Sequence, residues 1–146
     1  MIRDSQQRPH ARLEVWMDAM VLVEMVYRSS SDFPDHEKFS LTAQLRRSAV
    51  SVPSNIAEGA ARRSTPEYLR FLSVARGSLA ELDTQLQIAV RLGYLIEAQA
   101  FSEQLDKTFA KLNSLIRSLE RSRAPQAASS NESRISNLES RHSNAR

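Results

Sequence analysis

Apolar residues recur every three or four positions along four segments of the chain, and this spacing places them on one face of an α-helix. The first segment predicts a helix over residues 11 to 29, which the turn-forming sequence SSSDFP at residues 29 to 34 brings to an end. The residues expected to face inward are Leu13, Trp16, Ala19, Met20, Val23, Val26 and Tyr27.

The second segment carries two stripes, one apolar and one polar, at the same helical period. It predicts a helix from about Ser40 to about Ala61, with a kink at Pro53, which has no amide hydrogen to donate. A helix with two such faces usually makes two contacts, one inside its own bundle and one with a neighbouring subunit or a ligand. The apolar stripe consists of Leu41, Leu45, Ala49, Val52 and Ile56, and the polar stripe of Gln44, Ser48, Ser51, Asn55, Glu58 and Arg62.

Start and stop signals bound the last two helices. The sequence STPE at residues 64 to 67 is a capping box, in which the serine hydroxyl accepts from the glutamate amide, so helix three begins there. Gly93 is placed to take the left-handed conformation at its end, and helix four is predicted from about Glu97 to Arg121. The inward residues are Leu69, Leu72, Ala75, Leu79, Leu82, Leu86 and Ala89 on helix three, and Ala98, Phe101, Leu105, Thr108, Leu112, Leu115 and Leu119 on helix four.

Short connections make neighbouring helices antiparallel, so the sequence predicts an all-α fold, an up-down-up-down antiparallel four-helix bundle. The 146 residues are enough for one domain with its own core. We expect a flexible N-terminus over residues 1–10, the bundle over 11–122 and a disordered tail over 123–146. The tail is rich in Ser, Asn and Arg, and it has too few apolar residues to offset the entropy of ordering it.

The composition argues against several classes of function. There are no cysteines, so disulfides, thiolate zinc sites and cysteine nucleophiles are excluded. The three histidines, His10, His36 and His142, have no metal-ligand spacing, and there is no glycine-rich phosphate loop. We therefore predict no enzyme activity, no cofactor and no metal. With neither a signal peptide nor a membrane-spanning stretch, the protein is predicted to be cytoplasmic and not to contact a membrane.

Positive charge is concentrated in the middle of the chain. The formal net charge is +3, but residues 38 to 76 alone hold seven basic and two acidic residues, which gives +5. Arginine suits phosphate because its planar group can bind two oxygens. Few aromatic residues are expected on the surface, so binding should be directed at the backbone rather than the bases. The candidate nucleic-acid contacts are Arg46, Arg47, Arg62 and Arg63, with ordinary surface ion pairing as the alternative.

Folding helix two back on helix three at the turn near Ser64 brings their polar stripes together. Residues whose numbers add up to about 129 then lie side by side, so Ser51 meets Ser78. Small residues such as Ser51, Gly77 and Ser78 permit close helix approach, and a buried polar network would fix the register. The alternative is that these groups simply face solvent. The predicted polar seam or subunit interface consists of Gln44, Ser48, Ser51, Asn55, Glu58, Ser78 and Glu81.

Several motifs between Phe33 and Leu95 carry a resemblance to a known family. They are QLRR at residues 44–47, SNIAEG at 54–59, RS at 63–64, FL at 71–72, GSL at 77–79 and LGYL at 92–95. Over about residues 11 to 120 the chain resembles the small bacterial four-helix proteins named for open reading frames in intervening sequences of large-subunit ribosomal RNA genes. The resemblance implies a barrel-like homopentamer. It also implies a relationship to the accessory variability determinant of diversity-generating retroelements, which binds nucleic acid and a reverse transcriptase.

Two functions remain open on the sequence alone. The first is a non-catalytic homo-oligomer, a pentamer by the resemblance, that binds RNA or DNA through arginines and has a reverse transcriptase as a further partner. The second is a structural or protein-interaction scaffold without nucleic-acid binding. Repetition around a ring would multiply a modest charge per subunit, so the first is the leading hypothesis.

Overall fold

The computed structural model of the protein describes the backbone of residues 8–142 and the side chains of residues 8–123. Within that part the chain forms four α-helices and no strand, which confirms the all-α prediction. Short 3-10 turns at Pro9–Arg12 and Asp35–Glu37 precede the first two helices. The helices are α1 (Glu14–Ser30), α2 (Leu41–Ala60), α3 (Thr65–Arg91) and α4 (Ala98–His142).

Contacts between side chains show that α2 and α3 run antiparallel. The hydroxyls of Ser51 and Ser78 lie 2.8 Å apart, and a Cβ at Gly59 would lie 2.9 Å from side-chain atoms of both Tyr68 and Phe71. Residue numbers therefore rise along α2 as they fall along α3. The pairing of Ser51 with Ser78 confirms the register predicted from the turn.

The fourth helix closes the bundle by packing against both α3 and α1. Arg76 on α3 donates to Asn113 on α4 at 3.2 Å. On α1, the Asp18 carboxylate lies 2.7 Å from the ammonium group of Lys111 and 3.4 Å from that of Lys107. These contacts are compatible with the predicted up-down-up-down order.

The face that α1 turns to the core is rotated from the predicted one, although Ala19 and Val26 are buried as expected and Leu13, Trp16 and Val23 pack against the core. Met20 and Tyr27, expected to face inward, are 39% and 44% exposed. Two apolar stripes, offset by one position, both fit the period of this helix. The buried stripe contains Asp18, and a charged residue is unusual on a face that packs against the core. Because the lysines of α4 neutralise this carboxylate, it can be buried. The buried residues of α1 are Val15, Asp18, Ala19, Leu22, Val26 and Ser30.

The predicted boundaries of α3 are confirmed, down to the bonds that cap it. The Ser64 hydroxyl accepts from the Glu67 amide at 3.4 Å, as predicted. The same hydroxyl donates to the Glu67 carboxylate, which therefore bonds to the serine side chain rather than to its backbone amide. At the other end Gly93 has φ +76°, and the amide of Tyr94 reaches back to the carbonyl of Ala89 at 2.9 Å. This is the six-residue bond of a Schellman motif, which satisfies a terminal carbonyl.

At the C-terminal end the structure describes the backbone further than the side chains. The backbone of α4 continues to His142, past the end predicted at Arg121, and the last of its described side chains to pack against the core is Leu119. The predicted disordered tail, residues 123–146, falls almost entirely on a segment with no described side chains and stays a prediction. The predicted flexible N-terminus, residues 1–10, also stays a prediction, because residues 1–7 lie outside the described residues.

Gly59 should be the glycine that sets the distance between α2 and α3. An added Cβ would meet Phe71 and Tyr68 at 2.9 Å, whereas at Gly77, also within a helix, no atom lies within 4 Å. We expect Gly59→Ala to lower the free energy of unfolding by about 1–3 kcal/mol through overpacking. The matched Gly77→Ala should raise it by about 0.5–1 kcal/mol, because alanine has the higher helix propensity. Urea unfolding measures both, and equal stability of the two variants would contradict this role for Gly59.

Glu37 caps the start of α2 with its carboxylate and should make stability depend on acid pH. Hydrogen bonds from the Ser40 hydroxyl at 2.6 Å and the Leu41 amide at 3.2 Å lower the pKa of Glu37 below its ordinary value of 4.5. A lowered pKa means that its stabilisation is present above about pH 4.5 and is lost as the pH falls through the folded-state pKa. Glu37→Gln should therefore be less stable than the wild type at neutral pH and approach it in acid.

Chemical unfolding at a series of pH values tests this dependence. The matched control is Glu120→Gln, which removes an exposed carboxylate of α4 away from any helix start. A stability difference between wild type and Glu37→Gln that stays constant from pH 7 to pH 3 would show that the charge of the cap contributes nothing.

Candidate functional site

A polar groove of about 430 Å³ runs between the first half of α2 and the middle of α3. We refer to it as the α2–α3 groove. The bond between Ser51 and Ser78 crosses it, and Ser48 is only 5% exposed. The groove is therefore a depression built on fixed hydroxyl groups. The residues that line it are Phe39, Ala43, Gln44, Arg47, Ser48, Ser51, Ser78 and Glu81.

The structure brings most of the predicted polar seam together in this groove. Gln44, Ser48, Ser51, Ser78 and Glu81 all line it. Both sequence interpretations hold in part, because Ser48 is buried and the other serines are half-buried, whereas Gln44 and Glu81 are exposed. The seam thus has a buried base and a solvated rim.

The remaining two seam residues continue the line along α2. The Asn55 amide donates to the Ser51 hydroxyl at 3.0 Å and to the Ser51 carbonyl at 2.8 Å, so it belongs to the same network. Glu58 lies a turn further on, where it is exposed and pairs with Arg62 at 2.9 Å. Gln85, buried beside the seam, donates to Glu81 at 3.3 Å.

Arg46 and Arg47 are adjacent in sequence but have different environments. The Arg46 guanidinium lies 4.6 Å from the centre of the Tyr27 ring, and its Nε donates to the Ser30 hydroxyl at 3.0 Å. It is therefore held against α1, away from the groove. Arg47 is exposed and lines the α2–α3 groove. Of the two, Arg47 is the one available to a ligand there.

An exposed aromatic ring beside Arg47 was missed by the sequence analysis. Phe39, in the turn before α2, is 90% exposed, and the ammonium group of Lys38 lies 5.5 Å from its ring centre. Few aromatic side chains of the described residues are exposed, as expected, but Phe39 is one of them and offers a ring for stacking. Its sequence signal is that Phe39 stands two positions before Leu41, off the spacing of three or four that marks the buried stripe.

A second basic group lies at the far end of α2, around the turn to α3. Arg62 and Arg70 both stack on the Phe71 ring, at 4.7 and 5.2 Å from its centre, and Arg63 is exposed between them in sequence. We refer to Arg62, Arg63, Arg70 and Phe71 as the turn cluster. Arg70 was not among the predicted contacts. Its spacing is the signal that could have identified it, since Arg70 follows Glu67 by three residues and so lies on the same side of α3.

The four predicted arginines do not converge within one chain. Arg47 and Arg62 are separated along the helix axis by roughly 20 Å at 1.5 Å per residue, and Arg46 points to α1. This distance equals about six phosphate steps along one strand of a duplex. A single chain therefore offers two separate cationic points on the face formed by α2 and α3.

The part of the chain that the structure describes contains no group of three or more acidic, histidine or cysteine side chains that could hold a metal ion. No helix among the described residues combines the length and apolar character needed to cross a membrane.

Comparisons with known proteins place the chain in a family. One solved structure with the same fold is that of a Bacteroides thetaiotaomicron protein of unknown function from the S23 ribosomal protein family. It aligns at a TM-score of 0.65 and 19% identity, over 70% of this chain and 95% of that one, a likeness that concerns the fold alone. A search of curated proteins gives no match. The family model described as 23S rRNA-intervening sequence protein matches residues 11–119, so the chain belongs to the 23S rRNA-intervening sequence protein family.

Proposed function

We propose that this protein is a non-catalytic homo-oligomer that binds the phosphate backbone of RNA or DNA through arginines on the α2–α3 face. The observation that carries the proposal is the exposure of Arg47 at the groove and of Arg62 and Arg63 at the turn, within a segment of charge +5. Exposed guanidinium groups bind phosphate oxygens without needing a catalytic geometry.

The ion pair at the turn does not remove Arg62 from this set. Arg62 and Glu58 are both partly exposed and pair across one helical turn, an arrangement that contributes little to stability. Arg62 can therefore exchange its carboxylate partner for a phosphate. Arg46 is left out of the proposed contacts, because Tyr27 and Ser30 already hold its side chain.

Self-association provides more phosphate contacts than a single chain has. Two cationic points about 20 Å apart give weak binding alone, but repeated copies raise the effective concentration of contacts. Support for an oligomer comes from the outer apolar stripe of α1, where Met17, Met20 and Val21 are exposed. Exposed apolar groups of this kind are typical of subunit contacts. The family resemblance sets the expected number of subunits at five.

A second candidate function is supported by an apolar cavity next to this stripe, with Met20 belonging to both. A cavity of about 340 Å³ between α1 and α2, lined by Trp16, Met20, Val23, Val50 and Pro53 among others, is largely apolar. An apolar groove between two helices suits a helix or loop of another protein. A scaffold that binds protein partners through this groove, without nucleic acid, is the alternative.

Salt dependence tests the nucleic-acid proposal. Binding of a labelled oligonucleotide should weaken steeply with salt. The triple variant Arg47→Ala, Arg62→Ala and Arg63→Ala should lower the slope of log affinity against log salt by about 2–3, since each lost phosphate contact accounts for about 0.7–0.9. The control is Arg117→Ala, which removes an exposed arginine of α4.

Arg46 separates binding from folding in the same experiment. Arg46→Ala should lower the free energy of unfolding by about 1 kcal/mol, through loss of the ring stacking and the hydrogen bond, and leave the salt slope unchanged. A triple variant with the wild-type slope would contradict the assignment of the contacts.

Light scattering of the purified protein tests self-association. We expect a mass several times the 16.5 kDa of one chain at micromolar concentration. Met20→Lys, which places a charge in the exposed apolar stripe of α1, should shift the protein towards single chains, whereas Glu120→Lys at an exposed position of α4 should not. A wild-type mass of one chain at all concentrations would exclude the oligomer.

A further inference from the structure

We propose that the α2–α3 groove holds one nucleotide of a single strand, with its base stacked on Phe39 and its phosphate at Arg47. The inference rests on the proposed function and narrows it, because it names the class of nucleic acid. It depends on the exposed ring, on the cations beside it and on the polar base of the groove.

Phe39 is available for stacking because its backbone is fixed while its ring is free. The ring is 90% exposed. On either side the chain is tied down, since Glu37 accepts from the Ser40 hydroxyl and from the Leu41 amide, and the Ser40 amide donates to the Glu37 carbonyl at 3.0 Å. A partner that stacks on the ring therefore meets a surface whose backbone is already ordered.

Cations lie where the strand would carry its phosphates. Arg47 lines the groove together with the Phe39 ring. The ammonium group of Lys38 is 5.5 Å from the centre of the same ring, although its side chain also lines the neighbouring depression that contains Arg46. Proteins that bind single strands combine these two elements, an aromatic ring for the base and a cation for the backbone. Here both come from ten consecutive residues.

The groove has the size and polarity to take the edge of a base. Its volume of about 430 Å³ lies within the range of small-molecule sites. The Gln44 amide and the hydroxyls of Ser48 and Ser51 offer both donors and acceptors. Glu81 on the opposite wall repels phosphate, so the backbone should pass on the side of Arg47 while the base enters the groove.

A duplex cannot use this arrangement. Paired bases are stacked on one another, so an aromatic side chain reaches a base face only in a single strand, a loop or an end. The turn cluster has no such restriction, because its arginines need only phosphates. The groove therefore adds a preference for single strands to a backbone contact that either form can make.

The test compares a labelled 12-nucleotide single strand with a 12-base-pair duplex by fluorescence anisotropy. Phe39→Ala should weaken single-strand binding roughly 10- to 100-fold, as expected for the loss of one stacked base. Duplex binding and the salt slope should not change. Phe39→Trp should retain single-strand binding, since it keeps a stacking ring. The matched control is Ile96→Ala, which removes an apolar side chain that is 95% exposed in the loop before α4.

The outcomes separate this inference from the proposed function. If Phe39→Ala binds the single strand as the wild type does while the arginine variant is weakened, the stacking role is excluded and the backbone contact stands. If the wild type binds neither oligonucleotide at low salt, both proposals fail. Light scattering is run on Phe39→Ala as well. A fall to single chains would identify Phe39 as a subunit contact and overturn the stacking role.

Discussion

The close packing of α2 against α3 is the constraint on which the rest of the structure depends. At Gly59 there is no room for even a methyl group, because Tyr68 and Phe71 occupy the space. One end of the hairpin is thereby held at backbone contact, and the bond between Ser51 and Ser78 fixes the register further along. Both the α2–α3 groove and the turn cluster lie where this tight pair meets solvent.

The arginines of this hairpin show how environment divides one residue type into different roles. Arg46 serves the bundle, since it fastens α2 to α1 through Tyr27 and Ser30. Arg47, the next residue, points about 100° away around the helix and is left to solvent at the groove. Arg62 has an intermediate position, stacked on Phe71 and paired with Glu58, yet still partly exposed. The net charge of the segment does not show which of its arginines are available to a ligand.

The sequence predicts the fold well because helical periodicity and capping are local signals. The Ser64 cap and the left-handed Gly93 are encoded within a few residues, and the register of α2 against α3 follows from the short turn between them. Predictions fail where a partner helix decides. Burial of Asp18 depends on lysines about ninety positions away. The sequence pointed to Gly77 as a close-contact residue, whereas the structure places the contact at Gly59.

The same limit applies to the candidate site. The polar seam could be predicted, because all its members lie on two helices joined by a short turn. The different roles of Arg46 and Arg47 could not, since they depend on where α1 lies. In chain topology, Ser51 and Ser78 are 27 residues apart, whereas Asp18 and Lys111 are separated by 93. Loop closure entropy makes the second contact costlier by about 1 kcal/mol, so the hairpin that carries the groove loses less chain entropy as it assembles than the contact of α4 with α1 does.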